Sequence, residues 1–117
     1  QVLAVLQKDG TLAGHVELSP LEEPPGAWEA GYHIGAPYRG RGYAAEALAA
    51  FLPAVLPALG LREVFGICEA SNDASCSVLE RCGFRLCVQK PAVVYGRPAI
   101  MRKYRYTLPE TAEKEKA

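Results

Sequence analysis

The sequence has no excess of either charge, because its 13 basic residues are balanced by 13 acidic residues. Such a balance gives no general attraction to nucleic acid or to an anionic membrane surface, so we expect neither as a partner. Long apolar runs are also missing: the longest candidate, 44–61, is interrupted by Pro53 and Pro57. Any anion-binding site must therefore be a local feature of a soluble domain.

Metal-ligand patterns are absent as well. Although the chain has four cysteines and two histidines, it contains no Cys-x-x-Cys pair, and the histidines are far apart in sequence. We therefore expect no metal site. Free thiols fit a reducing compartment better than a disulfide scaffold does, which predicts a cytoplasmic protein. The chain begins with Gln1 and shows no signal-peptide pattern, which indicates a fragment.

The composition that is present is typical of one folded unit. Of the 117 residues, 50% are hydrophobic and 22% are charged, which predicts a single soluble domain. We assign 1–107 to this domain. The remaining segment, 108–117, is rich in charge and is predicted to be a disordered tail.

The first third of the chain has the pattern of β-strands. Asp9-Gly10 lies between two apolar runs, 2–6 and 11–18, which is a hairpin signal. A third strand is predicted for 28–34, where side chains alternate in polarity. The intervening segment, 19–26, contains three prolines and is predicted to be an exposed loop.

The centre of the chain is predicted to be helical, because small and apolar residues recur every four positions at Ala44, Leu48, Leu52 and Leu56. Pro53 and Pro57 lack the amide that a helix interior needs, so we expect a kink or an early end there. Gly60 is the predicted stop signal.

The last part of the chain completes a β-β-β-α-β-α-β-β order. An apolar strand at 64–68 is expected to lie parallel to the preceding one, because a helix separates them. Ser71 or Asn72 caps a second helix over 74–81, which Gly83 ends. Antiparallel strands are predicted at 84–88 and 100–106. The predicted fold class is α/β (α+β), a mixed sheet with helices packed on it.

A glycine- and arginine-rich turn carries the strongest chemical signal. It lies between the third strand and the first helix and reads Arg39-Gly40-Arg41-Gly42-Tyr43-Ala44. A helix start presents unpaired amides and a partial positive charge, and glycines let the backbone approach a ligand. The turn is therefore suited to a pyrophosphate. Taken alone, a Gly-x-Gly pair favours an ordinary tight turn with solvated arginines, and the segment matches neither the P-loop nor the dinucleotide-binding fingerprint. Its position after a strand and before a long amphipathic helix is what favours the anion site.

This turn resembles the Arg/Gln-x-x-Gly-x-Gly/Ala loop of GNAT acetyltransferases. The segment from Asn72 to Phe84 is similar to the Asn-x-x-Ser…Leu-Glu-Lys-x-Gly-Phe helix of the subgroup that includes ribosomal-protein N-terminal acetyltransferases. The two motifs stand in the family's order, and the resemblance covers 1–106. It implies the GNAT fold, with a mostly antiparallel sheet. Family members usually begin with a further strand and two helices, which we expect to be missing here.

The resemblance also implies a binding site for acetyl-CoA as co-substrate. Backbone groups near His33 and Ile34 would bind the pantetheine arm. Asn72 would cap the second helix and bond a pantetheine amide, and Arg81 would reach the adenosine phosphate unless it is simply solvated. The pyrophosphate would be held by the loop residues Arg39, Gly40, Arg41, Gly42, Tyr43 and Ala44.

The implied reaction is direct transfer of an acetyl group to a primary amine of a protein N-terminus or of a small molecule. Glu29 is the candidate base, acting through water, and His33 is its substitute. Ser75 would lie at the thioester sulfur as a donor, although helix capping is its ordinary role. The alternative is a catalytically inactive CoA-binding or protein-interaction domain of the same fold. Either a monomer or a homodimer is expected.

Overall fold

The computed structural model describes residues 2–6 and 10–109, and the elements in this part of the chain follow the predicted order. A short 3-10 turn, Ala36–Tyr38, is the one addition to that order. The strands and helices are β1 (Val2–Leu6), β2 (Leu12–Pro20), β3 (Trp28–Ile34), α1 (Tyr43–Ala58), β4 (Glu63–Glu69), α2 (Asp73–Arg81), β5 (Arg85–Val94) and β6 (Arg97–Thr107).

The strands form one six-stranded sheet in the order β1-β2-β3-β4-β6-β5. All neighbouring strands are antiparallel except β3 and β4, which are parallel as predicted. The β3–β4 ladder consists of a single pair, Glu29 with Phe65. Because β3 continues to Ile34 and β4 to Glu69, the two strands run on without pairing towards their carboxyl ends. The sheet is therefore open at its centre on that side.

The two helices share one hydrophobic core with the sheet. On α1 the buried side chains repeat with helical spacing, and Leu48, Leu52 and Leu56 are fully buried. On α2, Leu79 packs so closely on β4 that a Cβ at Gly66 would lie 2.8 Å from its Cδ2 atom. The absence of a side chain at Gly66 is thus what allows α2 to lie against the sheet.

Helix α1 does not end early at its prolines. It continues through Pro53 and ends at Ala58, one residue after Pro57. A proline at 53 leaves the carbonyl of Ala49 without its helical donor. Ala49 is exposed, so solvent can satisfy that carbonyl while the buried face keeps its packing. Gly60, with φ of +71°, ends the helix as predicted.

The last hairpin is longer than predicted. Tyr95 and Gly96 form its two-residue turn with φ of 50° and 74°, so Pro98 lies in β6 rather than in the connection. Before Met101, β6 pairs with β5 but not with β4, and a proline is tolerated where one side of a strand is unpaired.

The packed part of the domain also extends past the predicted boundary at 107. Leu108 is buried, and its amide donates to the carbonyl of Arg62 at 2.8 Å. Leu108 was assigned to the tail because it follows the last strand pattern, and only the fold shows that it contacts the core. Most of the predicted tail, 110–117, lies outside the described residues. None of the helices in the described part of the chain is long and apolar enough to cross a membrane.

Candidate active site

A groove of about 720 Å³ opens where β3 and β4 part. One wall is the end of β3, another is the loop that leads into α1, and the third is α2. The groove brings together every predicted site residue except Arg41: its lining includes Glu29, His33, Ile34, Arg39, Gly40, Gly42, Tyr43, Ala44, Asn72, Ser75 and Arg81. Residues more than 50 positions apart in sequence, such as Glu29 and Arg81, therefore face a common space.

The loop before α1 owes its shape to two glycines. Gly40 and Gly42 have φ of +79° and +77°, a region that L side chains rarely adopt. A Cβ at either position would meet no heavy atom within 4 Å, so backbone conformation and not crowding requires glycine there. Gly42 is also the N-cap of α1, and it has no side chain to accept from the positively polarised first turn.

The two arginines of the loop point to different places. Arg39 lines the groove, and its Nε atom donates to the carbonyl oxygen of Ile34 at 3.0 Å, which ties the loop to the end of β3. Arg41 lies outside the lining, with its guanidinium carbon 5.8 Å from the centre of the Tyr38 ring. The geometry thus supports a groove contact for Arg39 and does not bring Arg41 to the groove.

The start of α2 fixes two further predicted residues. Asn72 is the N-cap, and its Oδ1 atom accepts from the amide of Ser75 at 3.1 Å. Ser71 instead donates to Glu69 Oε2 at 3.2 Å, so of the two predicted caps Asn72 is the one used. Ser75 therefore does not cap the helix, and its hydroxyl lies on the groove wall. Arg81, in the last turn of α2, lines the groove at the opposite end of that helix from Asn72.

Tyr32 lines the groove and was not among the predicted site residues. Its hydroxyl donates to Ser75 Oγ at 3.0 Å, joining two residues 43 positions apart. Burial raises the pKa of Tyr32, the Ser75 hydrogen bond opposes that rise, and the thiols of Cys68, Cys82 and Cys76 add to it. The one available signal was strand alternation, which directs Tyr32 towards the helices.

Glu29 stands at the point where β3 and β4 are joined. Burial raises the pKa of its carboxyl above the ordinary value of 4.5, and the nearby carboxylate of Glu17 raises the pKa further. Glu17 was not predicted, because its approach depends on the β2–β3 register. His33, the substitute base, has an exposed side chain whose ring centre lies 6.0 Å from that of His15.

No group of metal-ligating side chains occurs in the residues that the structure describes. The arrangement is instead suited to an elongated organic anion: a positively polarised helix start lies at one part of the groove, and a carboxyl and a hydroxyl lie at others. Such a groove can hold a phosphate-bearing ligand, and its lining includes a residue with a carboxyl, Glu29, and one with a hydroxyl, Ser75.

Comparisons with known proteins agree with this geometry. A family model described as an acetyltransferase (GNAT) domain matches residues 1–85. No protein with a curated description matches the sequence significantly. Among solved structures, a GNAT-family acetyltransferase from Bacillus anthracis is similar at 21% identity and a TM-score of 0.80, over 91% of this chain and 65% of the other.

Two further structures are informative. A proposed acetyltransferase from Salmonella typhimurium, solved with its cofactor acetyl-CoA, has 20% identity and a TM-score of 0.76, over 89% of this chain and 62% of that one. A proposed ribosomal-protein-serine acetyltransferase from Vibrio cholerae has 25% identity and a TM-score of 0.71, over 91% of this chain and 63% of that one. The chain thus spans less than two thirds of the length of these structures.

The match to the family over most of the chain shows that this protein belongs to the GNAT acetyltransferases. The fold is the GNAT fold, as the resemblance of the two motifs predicted.

Proposed function

We propose that this chain binds acetyl-CoA in the groove and transfers its acetyl group directly to a primary amine of a protein N-terminus or of a small molecule. The observation that carries the proposal is that the start of α1, Glu29 and Ser75 line one groove. The acetyl-CoA complex of the Salmonella typhimurium protein, which shares the fold, supports the ligand. Acetyl-CoA would supply the acyl group in an activated form, as a thioester.

The groove offers a separate contact for each part of that ligand. The amides of 40–44 and the Arg39 guanidinium would hold the pyrophosphate, since both present donors at a positively polarised helix start. The backbone of β3 beyond Glu29 lacks a β4 partner in the described chain, so its amides and carbonyls can bond the pantetheine arm like an added strand. Asn72 and Arg81, on α2, would contact the pantetheine and the adenosine phosphate.

Two side chains would act in the reaction, one as the proton acceptor and one as a hydrogen-bond donor. Glu29, through a water molecule, would accept a proton from the acceptor amine as its nitrogen attacks the thioester carbonyl carbon. The raised pKa of Glu29 makes the carboxylate a stronger base than an ordinary surface glutamate. His33 is the alternative base. Ser75 would donate a hydrogen bond to the sulfur as the carbon–sulfur bond breaks.

Calorimetric titration with acetyl-CoA tests the binding site. We expect wild-type protein to bind and Gly42→Trp to lose binding, because an indole at 42 would fill the loop. Gly60→Trp is the matched control: Gly60 also has positive φ and open space around it but lies outside the groove. Absence of binding to folded wild-type protein would overturn the proposal.

Mass spectrometry of an amine panel separates the enzyme from the alternative. Acetylated product supports transfer, whereas acetyl-CoA binding without transfer to any amine would favour an inactive CoA-binding or protein-interaction domain. A cytoplasmic location and a monomeric or homodimeric state remain predictions.

A further inference from the structure

Ser75 is held by two hydrogen bonds, one at its backbone amide and one at its hydroxyl. Its backbone amide donates to Asn72 Oδ1 at 3.1 Å, and its Oγ atom accepts from the Tyr32 hydroxyl at 3.0 Å. Asn72 thus fixes the main chain of Ser75, and Tyr32 fixes the direction of its lone pair.

This arrangement determines what Ser75 can do. A hydroxyl has one donor and two acceptor sites, so a hydroxyl that accepts from Tyr32 keeps its own hydrogen for another partner. Tyr32 and Ser75 both line the groove, so that partner would be a ligand atom. A hydroxyl that already accepts a hydrogen bond is also a stronger donor, because a chain of hydrogen bonds polarises each member.

Tyr32 is suited to the role of permanent donor. Its ring is half-buried on β3, and its hydroxyl crosses to the first turn of α2. Burial, aided by the thiols of Cys68, Cys82 and Cys76, raises its pKa above 10.0, so the phenol stays protonated at neutral pH.

We propose that Tyr32 is a positioning residue for the reaction, which polarises Ser75 and directs its hydrogen at the leaving sulfur of CoA. The inference rests on the proposed function. In the step concerned, the carbon–sulfur bond breaks, the electron pair stays on sulfur, and the Ser75 hydroxyl donates to the resulting thiolate. Tyr32 acts through Ser75, and its proton does not leave oxygen.

The test measures the pKa of the CoA thiol bound to the protein and needs no acceptor amine. Thiolate absorbance is followed against pH as the difference between CoA-saturated and CoA-free protein, which cancels the protein's own thiols. Wild-type protein is expected to lower the thiol pKa below that of free CoA. In Tyr32→Phe, the pKa of the bound CoA thiol is expected to rise by about one unit towards that of free CoA, which is roughly a tenfold loss of thiolate stabilisation. At a pH low enough for CoA to be bound as the protonated thiol, its affinity for CoA should match that of wild-type protein.

Two controls identify the path of the effect. Tyr106→Phe removes the hydroxyl of another core tyrosine, which packs on Phe84 away from the groove, and should leave the thiol pKa unchanged. In a Ser75→Ala background, Tyr32→Phe should have no additional effect, since its partner is gone. A slowly exchanging Tyr32 hydroxyl proton in the NMR spectrum of wild-type protein, lost in Ser75→Ala, would give the same evidence without a Tyr32 variant.

Each outcome decides a different claim. CoA binding with an unchanged thiol pKa in Tyr32→Phe would overturn the role of Tyr32 alone. An equal effect of Tyr32→Phe with and without Ser75 would overturn it too, by showing that Tyr32 does not act through Ser75. A wild-type protein that binds no CoA would overturn the proposed function and this inference with it.

Discussion

Glu17 faces Gly31 across the β2–β3 pair, and its carboxylate occupies the space that a side chain at Gly31 would need. A Cβ built at Gly31 would lie 3.2 Å from Glu17 Oε1. The next pair along the same face joins Ser19 with Glu29. The glycine therefore lets one carboxylate extend close to the other, which is why Glu17 contributes to the raised pKa of Glu29.

The first prediction concerns the pH dependence of acetyl transfer. A base must be deprotonated to act, so the raised pKa of Glu29 places the acid limb of kcat/KM above 4.5. Glu17→Gln removes a neighbouring negative charge and lowers the pKa of Glu29, so the acid limb should move to lower pH. Initial rates across the pH range measure this shift. Glu22→Gln, at an exposed position, is the control. An acid limb at the same pH in Glu17→Gln as in wild-type protein would refute the electrostatic coupling between Glu17 and Glu29.

The second prediction sets activity against stability at Glu29. Glu29→Gln should lower kcat by about 10²- to 10⁴-fold, the usual contribution of a general base. The same variant should unfold at a higher temperature at neutral pH. Because the folded-state pKa of Glu29 is raised, the folded protein binds its proton more tightly, and its stability falls as pH rises from 4.5 through that pKa. At neutral pH the charged carboxylate is thus unfavourable, and a neutral amide removes that cost.

Thermal unfolding of both proteins at acidic and neutral pH checks the sign. The stability gain of Glu29→Gln should shrink as pH falls, because the wild-type carboxyl is then neutral as well. A gain that is the same at both pH values would show that the charge of Glu29 is not its cause. Full activity of Glu29→Gln would show that Glu29 is not the base and would favour His33 in that role.

The third prediction compares two glycines on neighbouring strands. A Cβ at Gly14 would overlap the carbonyl oxygen of His33, which belongs to the backbone and cannot move without separating β2 from β3. Gly14→Ala should therefore destabilise the protein by more than about 2 kcal/mol. Gly31→Ala meets only the flexible end of Glu17 and should cost less than about 1 kcal/mol. Denaturant unfolding measures both, and equal losses would contradict the account.

The sequence allowed prediction of those parts of the site that depend on short spacing. Gly42 and Asn72 each begin a helix, and the local pattern that starts a helix also sets their backbone geometry. The order of elements along the chain and the parallel β3–β4 connection followed from the alternation of strands and helices. The early end expected at Pro53 does not occur, because core packing outweighs one lost hydrogen bond, and a local sequence pattern does not report packing.

Contacts between distant segments could not be predicted in the same way. The Tyr32–Ser75 hydrogen bond depends on the depth at which α2 lies on the sheet, which Gly66 and Leu79 determine together. The approach of Glu17 to Glu29 depends on strand register, and a shift by one residue would turn Glu17 to the other face. Neither relationship leaves a spacing signal in the chain.

The last prediction concerns thiol reactivity. Cys68 and Cys76 are buried with their sulfurs 3.1 Å apart, and burial, with the contact to Cys76, raises the pKa of Cys68 to about 12. Burial also raises the pKa of Cys82, whereas Cys87 is exposed on β5. The thiolate is the reactive form, so an alkylating reagent at neutral pH should modify Cys87 first in native protein.

Intact-mass measurement should show one rapid addition, abolished in Cys87→Ser, and four additions after unfolding. Rapid modification of Cys68 in folded protein would mean that α2 separates from β4, and with it Ser75 from Tyr32.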